Sequence, residues 1–260
     1  MALVLIPLPD RDFDPTEAAV PWLALTRRGH QVRFATPSGR AAEADPRMLR
    51  GTGLGLWKKL LMADRRGRSA YEAMSACDDF RRPRSYQNAG AEECDGIILP
   101  GGHAPGMRQY LESESVQAMV ARAFERNIPV GAICHGVLVA ARTRSAAGRS
   151  VLHGRKTTAL TRVLELSGWI LTSLWLGDYY RTYPLPVETE VKAALAAPGD
   201  FVAGPPAVLR DDPGHLRRGF AVRDGNYISA RWPGDAHRFA AEFVSLLEER
   251  TGAQTVERAA

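Results

Sequence analysis

Residues 3–8 form an uninterrupted apolar run, the pattern of a strand buried on both faces. Beyond it the apolar positions change period. Ala18, Val20, Trp22, Leu23 and Leu25 follow a helical repeat that Asp14 opens as N-cap, with Pro15 at the first helical position and Glu17 as capping-box partner, and that Gly29 closes. Gln31–Thr36 predicts a second strand, ended by Pro37-Ser38-Gly39. Strand, helix and strand within about 35 residues make a βαβ unit and therefore a parallel sheet.

Residues 40–93 break this rhythm. Helical patterns at 56–63 and 69–77 are separated by the charged Arg65-Arg66-Gly67-Arg68, and the stretch reads as an insertion or cap that is too short for its own core. The alternation then resumes: a strand at 95–99 ending in Pro100-Gly101-Gly102, a helix at 115–126, and a buried strand at 129–133 running into Cys134-His135-Gly136 and a helix at 137–142. A strand at 157–160 and a helix at 161–174 follow, and then a hairpin in which residues 219–222 and Tyr227–Ala230 flank Asp224-Gly225. An amphipathic helix at 235–250 closes the pattern. The expected fold class is α/β, with a mostly parallel sheet, helices on both faces and a helical insertion. It forms a single domain over 1–250 with a cap-like insertion at about 40–93 and a frayed tail at 251–260.

Composition changes this picture little. The 260 residues are 45% apolar and 24% charged, which excludes disordered and disulfide-stapled classes. The net charge of +5 is dispersed along the chain, so no nucleic-acid footprint is expected. Cys77, Cys94 and Cys134 show no CxxC spacing, so neither a metal site nor a dithiol motif is expected, and a sparse odd count fits reduced thiols in a cytoplasm. The apolar N-terminus lacks a basic n-region and reads as a strand rather than a signal peptide. The longest apolar run, near 166–177, is shorter than the roughly 20 residues that cross a bilayer, so no membrane partner is expected.

The candidate chemistry sits at predicted strand ends. In Pro129-Val-Gly-Ala-Ile-Cys134-His-Gly136 a buried strand meets a helix at a cysteine flanked by Ala132 and Gly136, which is the small-x-nucleophile-x-small logic of a nucleophile elbow. Such an elbow would leave the thiol exposed above the sheet edge, and the helix N-terminus would lower its pKa. The competing reading is a buried structural cysteine; the strand-turn-helix context favours the nucleophile. The Gly101-Gly102-His103 turn exposes backbone amides which, with the His135 N–H, could hold an oxyanion. Glu17 is either a capping residue or a carboxyl able to exchange a proton with Cys134, and composition alone leaves the two even. His135 is either a base or matters for its N–H, provided the turn is sharp enough to bring its ring to the thiol. His30, His153 and His215 read as solvated.

Residues 12–22, the Pro100-Gly101-Gly102-His103 turn and Ala132-Ile-Cys134-His-Gly136 together resemble the ThiJ/PfpI superfamily, the class I glutamine amidotransferase-like fold, and most closely its heat-shock chaperone and glyoxalase III branch. The resemblance covers about residues 1–175. It implies a flavodoxin-like sandwich, often dimeric, with Cys134 as nucleophile, Glu17 as the carboxylic acid that hydrogen-bonds it, Gly102 and His135 as backbone oxyanion donors, and His135 as acid/base. Glu165 falls loosely where that branch orients the histidine, although an exposed helical glutamate is the better reading. His103, Asp178, Tyr179 and Arg181 are possible pocket residues; the last three could instead pack the cap. Glutaminase members end a triad with His-Pro-Glu. Here the comparable strand end reads Arg231-Trp232-Pro233-Gly234-Asp235, with His237 inside the next helix, so glutamine hydrolysis is disfavoured.

The leading expectation is a cofactor-independent cysteine enzyme, a lyase or hydrolase that converts a small 2-oxoaldehyde to a 2-hydroxy acid in the manner of glyoxalase III. Isocyanide hydration, C–N hydrolysis and a pathway-specific tailoring step would use the same constellation. A stress-response holdase and a thiol redox sensor are the alternatives from other classes. The expected partners are a small-molecule substrate and a second copy of the chain.

Overall fold

The computed structural model describes residues 1–91 and 93–259, without side chains at 91, 251 and 253–259; the tail expected to fray lies outside the side chains described. Among the described residues nine strands form: β1 Leu3–Pro7, β2 Arg11–Phe13, β3 Gln31–Thr36, β4 Glu43–Ala44, β5 Arg84–Ser85, β6 Gly96–Leu99, β7 Val130–Ile133, β8 Ala221–Asp224 and β9 Tyr227–Ala230. Seven of them build one sheet in the order β5-β3-β1-β6-β7-β9-β8, in which only β8 runs antiparallel to its neighbour. The central strands are buried along almost their whole length, which is why they read as unbroken apolar runs.

Helices cover both faces, giving the flavodoxin-like sandwich. Pro15–Arg27, Arg65–Ala76 and the closing helix Ala236–Ala259 pack together on one side, while Glu114–Glu125, Gly136–Arg142 and Val187–Ala194 pack on the other. Parallel β1, β6 and β7 all end at the same edge of the sheet, which therefore gathers the Asp14, Gly101 and Cys134 turns in one place.

Three local expectations are corrected. Residues 157–160 make only an isolated bridge, Thr157 to Phe201, because the Thr157 and Thr158 side chain and amide are drawn to Tyr227 and Ser229 instead of to a strand partner. Arg65-Arg66-Gly67-Arg68 does not separate two helices. Asp64 caps it through Gly67 N–H, and Gly67 packs where a Cβ would strike Thr16, so the charged run becomes a first helical turn. Within 40–93, β5 forms the sheet edge and Phe80, Tyr86 and Ala89 enter the main core, whereas Met48 and Leu54 pack with Tyr179 and Tyr180 in a second cluster. The latter half of the cap comes from Arg162–Leu176 and the turn that follows it. Among the described residues no helix is long and apolar enough to cross a membrane.

Candidate active site

β7 runs out at Ile133 and the chain turns at once: Cys134 has φ +57°, a left-handed conformation costing a non-glycine residue on the order of 1–3 kcal/mol. Two neighbours hold it there. The Cys134 N–H donates to the Ala230 carbonyl at 3.0 Å, extending the β7–β9 ladder by one bond. On the other side Gly136 presses against β6 so closely that a Cβ would stand 2.1 Å from the Leu99 carbonyl oxygen. The sharpness of the bend decides where the His135 ring goes. Its Nδ1 lies 3.6 Å from Cys134 Sγ, and its Nε2 lies 3.1 Å from Thr182 Oγ1.

The tautomer of His135 follows from counting hydrogens. Thr182 has one hydroxyl hydrogen, and it goes to the His103 carbonyl at 2.7 Å, an atom that can only accept. Thr182 Oγ1 must then accept from His135 Nε2–H, which leaves the Nδ1 lone pair facing the thiol.

Glu17 does not close a capping box. Asp14 caps the helix Pro15–Arg27 alone, accepting from Thr16 and Glu17 N–H at 2.8 and 3.1 Å. The Glu17 side chain instead crosses to the next strand end, where Oε2 accepts from Gly101 N–H at 2.8 Å. Its Oε1 meets no nitrogen or oxygen donor among the described residues, and the carboxyl also hydrogen-bonds the Cys134 thiol. Asp14 N–H donates back to the Gly101 carbonyl at 2.9 Å, tying the two turns together. The His135 N–H points at the sulfur. Gly102 takes φ +156° with the Asp12 and Asp14 backbone against its α-carbon, so its turn is too crowded for a side chain.

The expected exposure of the nucleophile is overturned: Cys134, His135 and Glu17 are each 0% exposed. The cap explains it. Tyr180 packs its ring 4.9 Å from that of His103, which lies 5.0 Å from His135, and Arg108 holds the Thr182 carbonyl from below. The expected fall in the Cys134 pKa is overturned with it. Burial raises the thiol well above its ordinary value, the Glu17 charge adds to the rise, and the His135 N–H opposes it. Burial first and the Asp14 charge second also raise Glu17 well above the ordinary carboxylate value. Burial lowers His103 to about 4 and carries His135 well below its usual value, so both imidazoles are neutral.

The remaining candidates separate. Glu165 is neither exposed nor an orienting partner of His135. It is 1% exposed and accepts from Val187 N–H at 2.9 Å, capping the helix Val187–Ala194, and burial raises its pKa to about 7. Asp178 lies at the surface accepting from Trp169 Nε1, and Arg181 rests over the Trp169 ring and bonds the Pro184 carbonyl, so both hold the cap together rather than line the site. Tyr179 donates to Asp45, pinning the second cluster. His30 is buried and accepts from Ala2 N–H, unlike the exposed His153 and His215. Sequence reasoning missed Thr182. No spacing rule links it to His135, and only its place in an otherwise aromatic segment sets it apart.

The strand end compared above with His-Pro-Glu begins at Arg231, whose Nε and Nη2 donate to Asp235 at 2.8 and 3.0 Å while its Nη1 reaches the Ala203 and Pro205 carbonyls. His237 lies elsewhere, in a groove of about 990 Å³ between Pro15–Arg27, Arg65–Ala76 and the closing helix; none of the candidate site residues lines it.

Comparison with known proteins places the fold. Over 118 residues the chain is 31% identical to an uncharacterized protein of Schizosaccharomyces pombe, a match spanning 45% of this chain and 43% of that protein. Over 165 residues it is 27% identical to a deglycase of Thermococcus kodakarensis, spanning 63% and 68% of the two chains. The crystal structure of glyoxalase III from Candida albicans has the same fold, with a TM-score of 0.62 at 17% identity over 94% of this chain and 97% of that one. A model of the ThiJ/PfpI family-like group matches residues 8–205, a span that takes in the Glu17 turn, the Gly-Gly turn, the cysteine elbow and Thr182. With its elbow and strand-end turns inside that match, the chain belongs to the ThiJ/PfpI-like family.

Proposed function

We propose that this protein is a cysteine-nucleophile enzyme of the glyoxalase III and deglycase kind, acting on a small 2-oxoaldehyde or the adduct of one. The observation that carries the reading is the Cys134–His135 pair: a thiol held at a strained bend, 3.6 Å from an imidazole nitrogen whose lone pair faces it. Names of relatives in both activity classes support it. Complete burial of the thiol favours a small substrate over a folded protein surface.

In the proposed reaction the thiol proton passes to His135 Nδ1 as sulfur bonds the aldehyde carbon, and the carbonyl π-electrons move to oxygen. The Gly102 and His135 N–H groups are assigned to that oxyanion, and protonation by Glu17 gives the hemithioacetal. Transfer of the former aldehyde C–H proton to the neighbouring carbonyl carbon, through His135 or Glu17, together with transfer of the hemithioacetal hydroxyl proton to the neighbouring carbonyl oxygen, yields the thioester of a 2-hydroxy acid. Water then cleaves the C–S bond and restores the thiol. A thiol raised by burial needs this paired base, because at neutral pH it is not spontaneously ionised.

One observation favours a second reading, a holdase: Leu56 and Leu174 are 98% and 95% exposed, and Leu60, Ile170 and Trp175 are exposed on the same cap segments. The test compares wild type and Cys134→Ala for methylglyoxal consumption and for suppression of aggregation of a denatured client. Turnover lost in the variant supports the enzyme. Absent turnover with suppression intact in both proteins supports the holdase and overturns the enzyme.

A further inference from the structure

We propose that Cys134, His135 and His103 form a binding site for one thiophilic divalent cation of the zinc class. The proposal uses the atoms assigned above to catalysis but does not depend on the oxoaldehyde reaction being right. One ligand atom from each of the three side chains lies within 4.8 Å of the other two, and all three residues are buried.

Three independent features fit the group. The first is spacing. Zinc held at about 2.3 Å by sulfur and about 2.0–2.1 Å by nitrogen in tetrahedral geometry sets those two atoms about 3.6 Å apart. The Cys134 Sγ to His135 Nδ1 distance is 3.6 Å. The second is the outer shell. A metal-bound histidine is oriented by a partner that takes its other N–H, and Thr182 Oγ1 does this for His135 Nε2 at 3.1 Å while handing its own hydrogen to the His103 carbonyl. The Nδ1 lone pair is therefore pre-aimed toward the sulfur. The third is His103 itself. It is 8% exposed, and its Nδ1 has no hydrogen-bond partner among the described residues, a costly state for a buried polar atom. Two imidazoles and a thiolate are borderline-to-soft donors that suit zinc or cobalt(II). Magnesium and calcium, which require oxygen, would find none of their ligands in this trio.

Binding breaks the S–H bond, forms the sulfur–metal bond and releases the proton to solvent. The ion would occupy both the sulfur and the nitrogen lone pair, so the bound form could not carry out thiol addition.

The test is titration of the reduced full-length protein with cobalt(II) alone, without oxygen, followed by zinc. The expected result is one equivalent of cobalt, a near-ultraviolet thiolate-to-cobalt charge-transfer band, and loss of that band on adding zinc. Cys134→Ser should abolish the band, His103→Gln should weaken cobalt binding at least tenfold, and the Cys77→Ser, Cys94→Ser double variant should bind as wild type. Absence of the band in wild type, its survival in Cys134→Ser, or unchanged affinity in His103→Gln overturns the site. Should His103→Gln fail to fold, alkylation of wild-type Cys134 followed by intact mass decides. Protection by one equivalent of zinc but not by magnesium supports the site, and equal alkylation in both overturns it. Cobalt binding without methylglyoxal turnover would leave this site standing while removing the proposed reaction; turnover without cobalt binding would do the reverse.

Discussion

The carboxyl ends of β7 and β9 lie side by side, joined by the bond from the Cys134 amide to the Ala230 carbonyl, and they handle buried polarity in opposite ways. At the β9 end Arg231 and Asp235 are 2% and 0% exposed, and the guanidinium is spent on a bidentate carboxylate pair, two backbone carbonyls and the Phe220 ring. At the β7 end the groups are just as deeply buried but, among the described residues, incompletely paired: a thiol in a left-handed turn, Glu17 with one oxygen that meets no nitrogen or oxygen donor, and a His103 Nδ1 without a hydrogen-bond partner. Hydrogen bonding of the charged pair stabilises one corner, whereas the other leaves buried polar groups short of partners. The ion pair at the β9 end holds the following turn.

Substitution at Arg231 should separate the two corners most strongly. Arg231→Leu leaves Asp235 buried without its cation and should cost about 3–5 kcal/mol in urea unfolding. Cys134→Ala removes little packing and should cost about 1 kcal/mol. Equal losses in the two variants would erase the contrast.

Thr182→Val tests whether the incomplete pairing at β7 is nonetheless organised. It removes the acceptor of His135 Nε2–H and frees the other tautomer, which would turn Nδ1–H toward the sulfur. Turnover, and the alkylation rate of Cys134 as a substrate-independent readout, should fall roughly tenfold, with an altered pH–rate profile. Thr182→Ser should restore both. An unchanged profile in Thr182→Val would mean that the threonine only packs.

The effect confined to one pH range lies in the cap. Glu165 titrates near 7 in the fold against an ordinary 4.5, raised by burial. A carboxyl with a raised native pKa contributes its full stability below the ordinary value and loses it as pH rises through about 7. Above pH 8 the wild type therefore carries a penalty of at most about 3 kcal/mol, which Glu165→Gln escapes. The variant should melt with the wild type at pH 4.5 and above it at pH 8.5; coincident melting at both would show Glu165 untitrated in this range.

Much of this was legible in the chain. The apolar runs of β1, β6 and β7, the Asp14 cap and the β8–β9 hairpin are local patterns, written by period and turn chemistry within a few residues. The cysteine elbow and the Gly-Gly turn were readable for the same reason, since a sharp bend needs small residues next to it. Glu17 was ambiguous because capping and catalysis ask for the same residue at the same helix turn, and only the Gly101 amide across the strand end separates them. Glu165 looked like a surface residue because helical spacing does not reveal which face another helix will cover.

The order of strands and helices along the chain sets which turns meet, because parallel βαβ order brings the turns after β1, β6 and β7 to one edge of the sheet. Tertiary structure decided the electrostatics of the groups that meet there. Burial under the cap reversed the expected pKa of Cys134, and a hydroxyl 47 positions downstream of His135 set the histidine tautomer. Charge energetics depend on the dielectric and the donors that surround a group in space, and no periodicity along the chain encodes either.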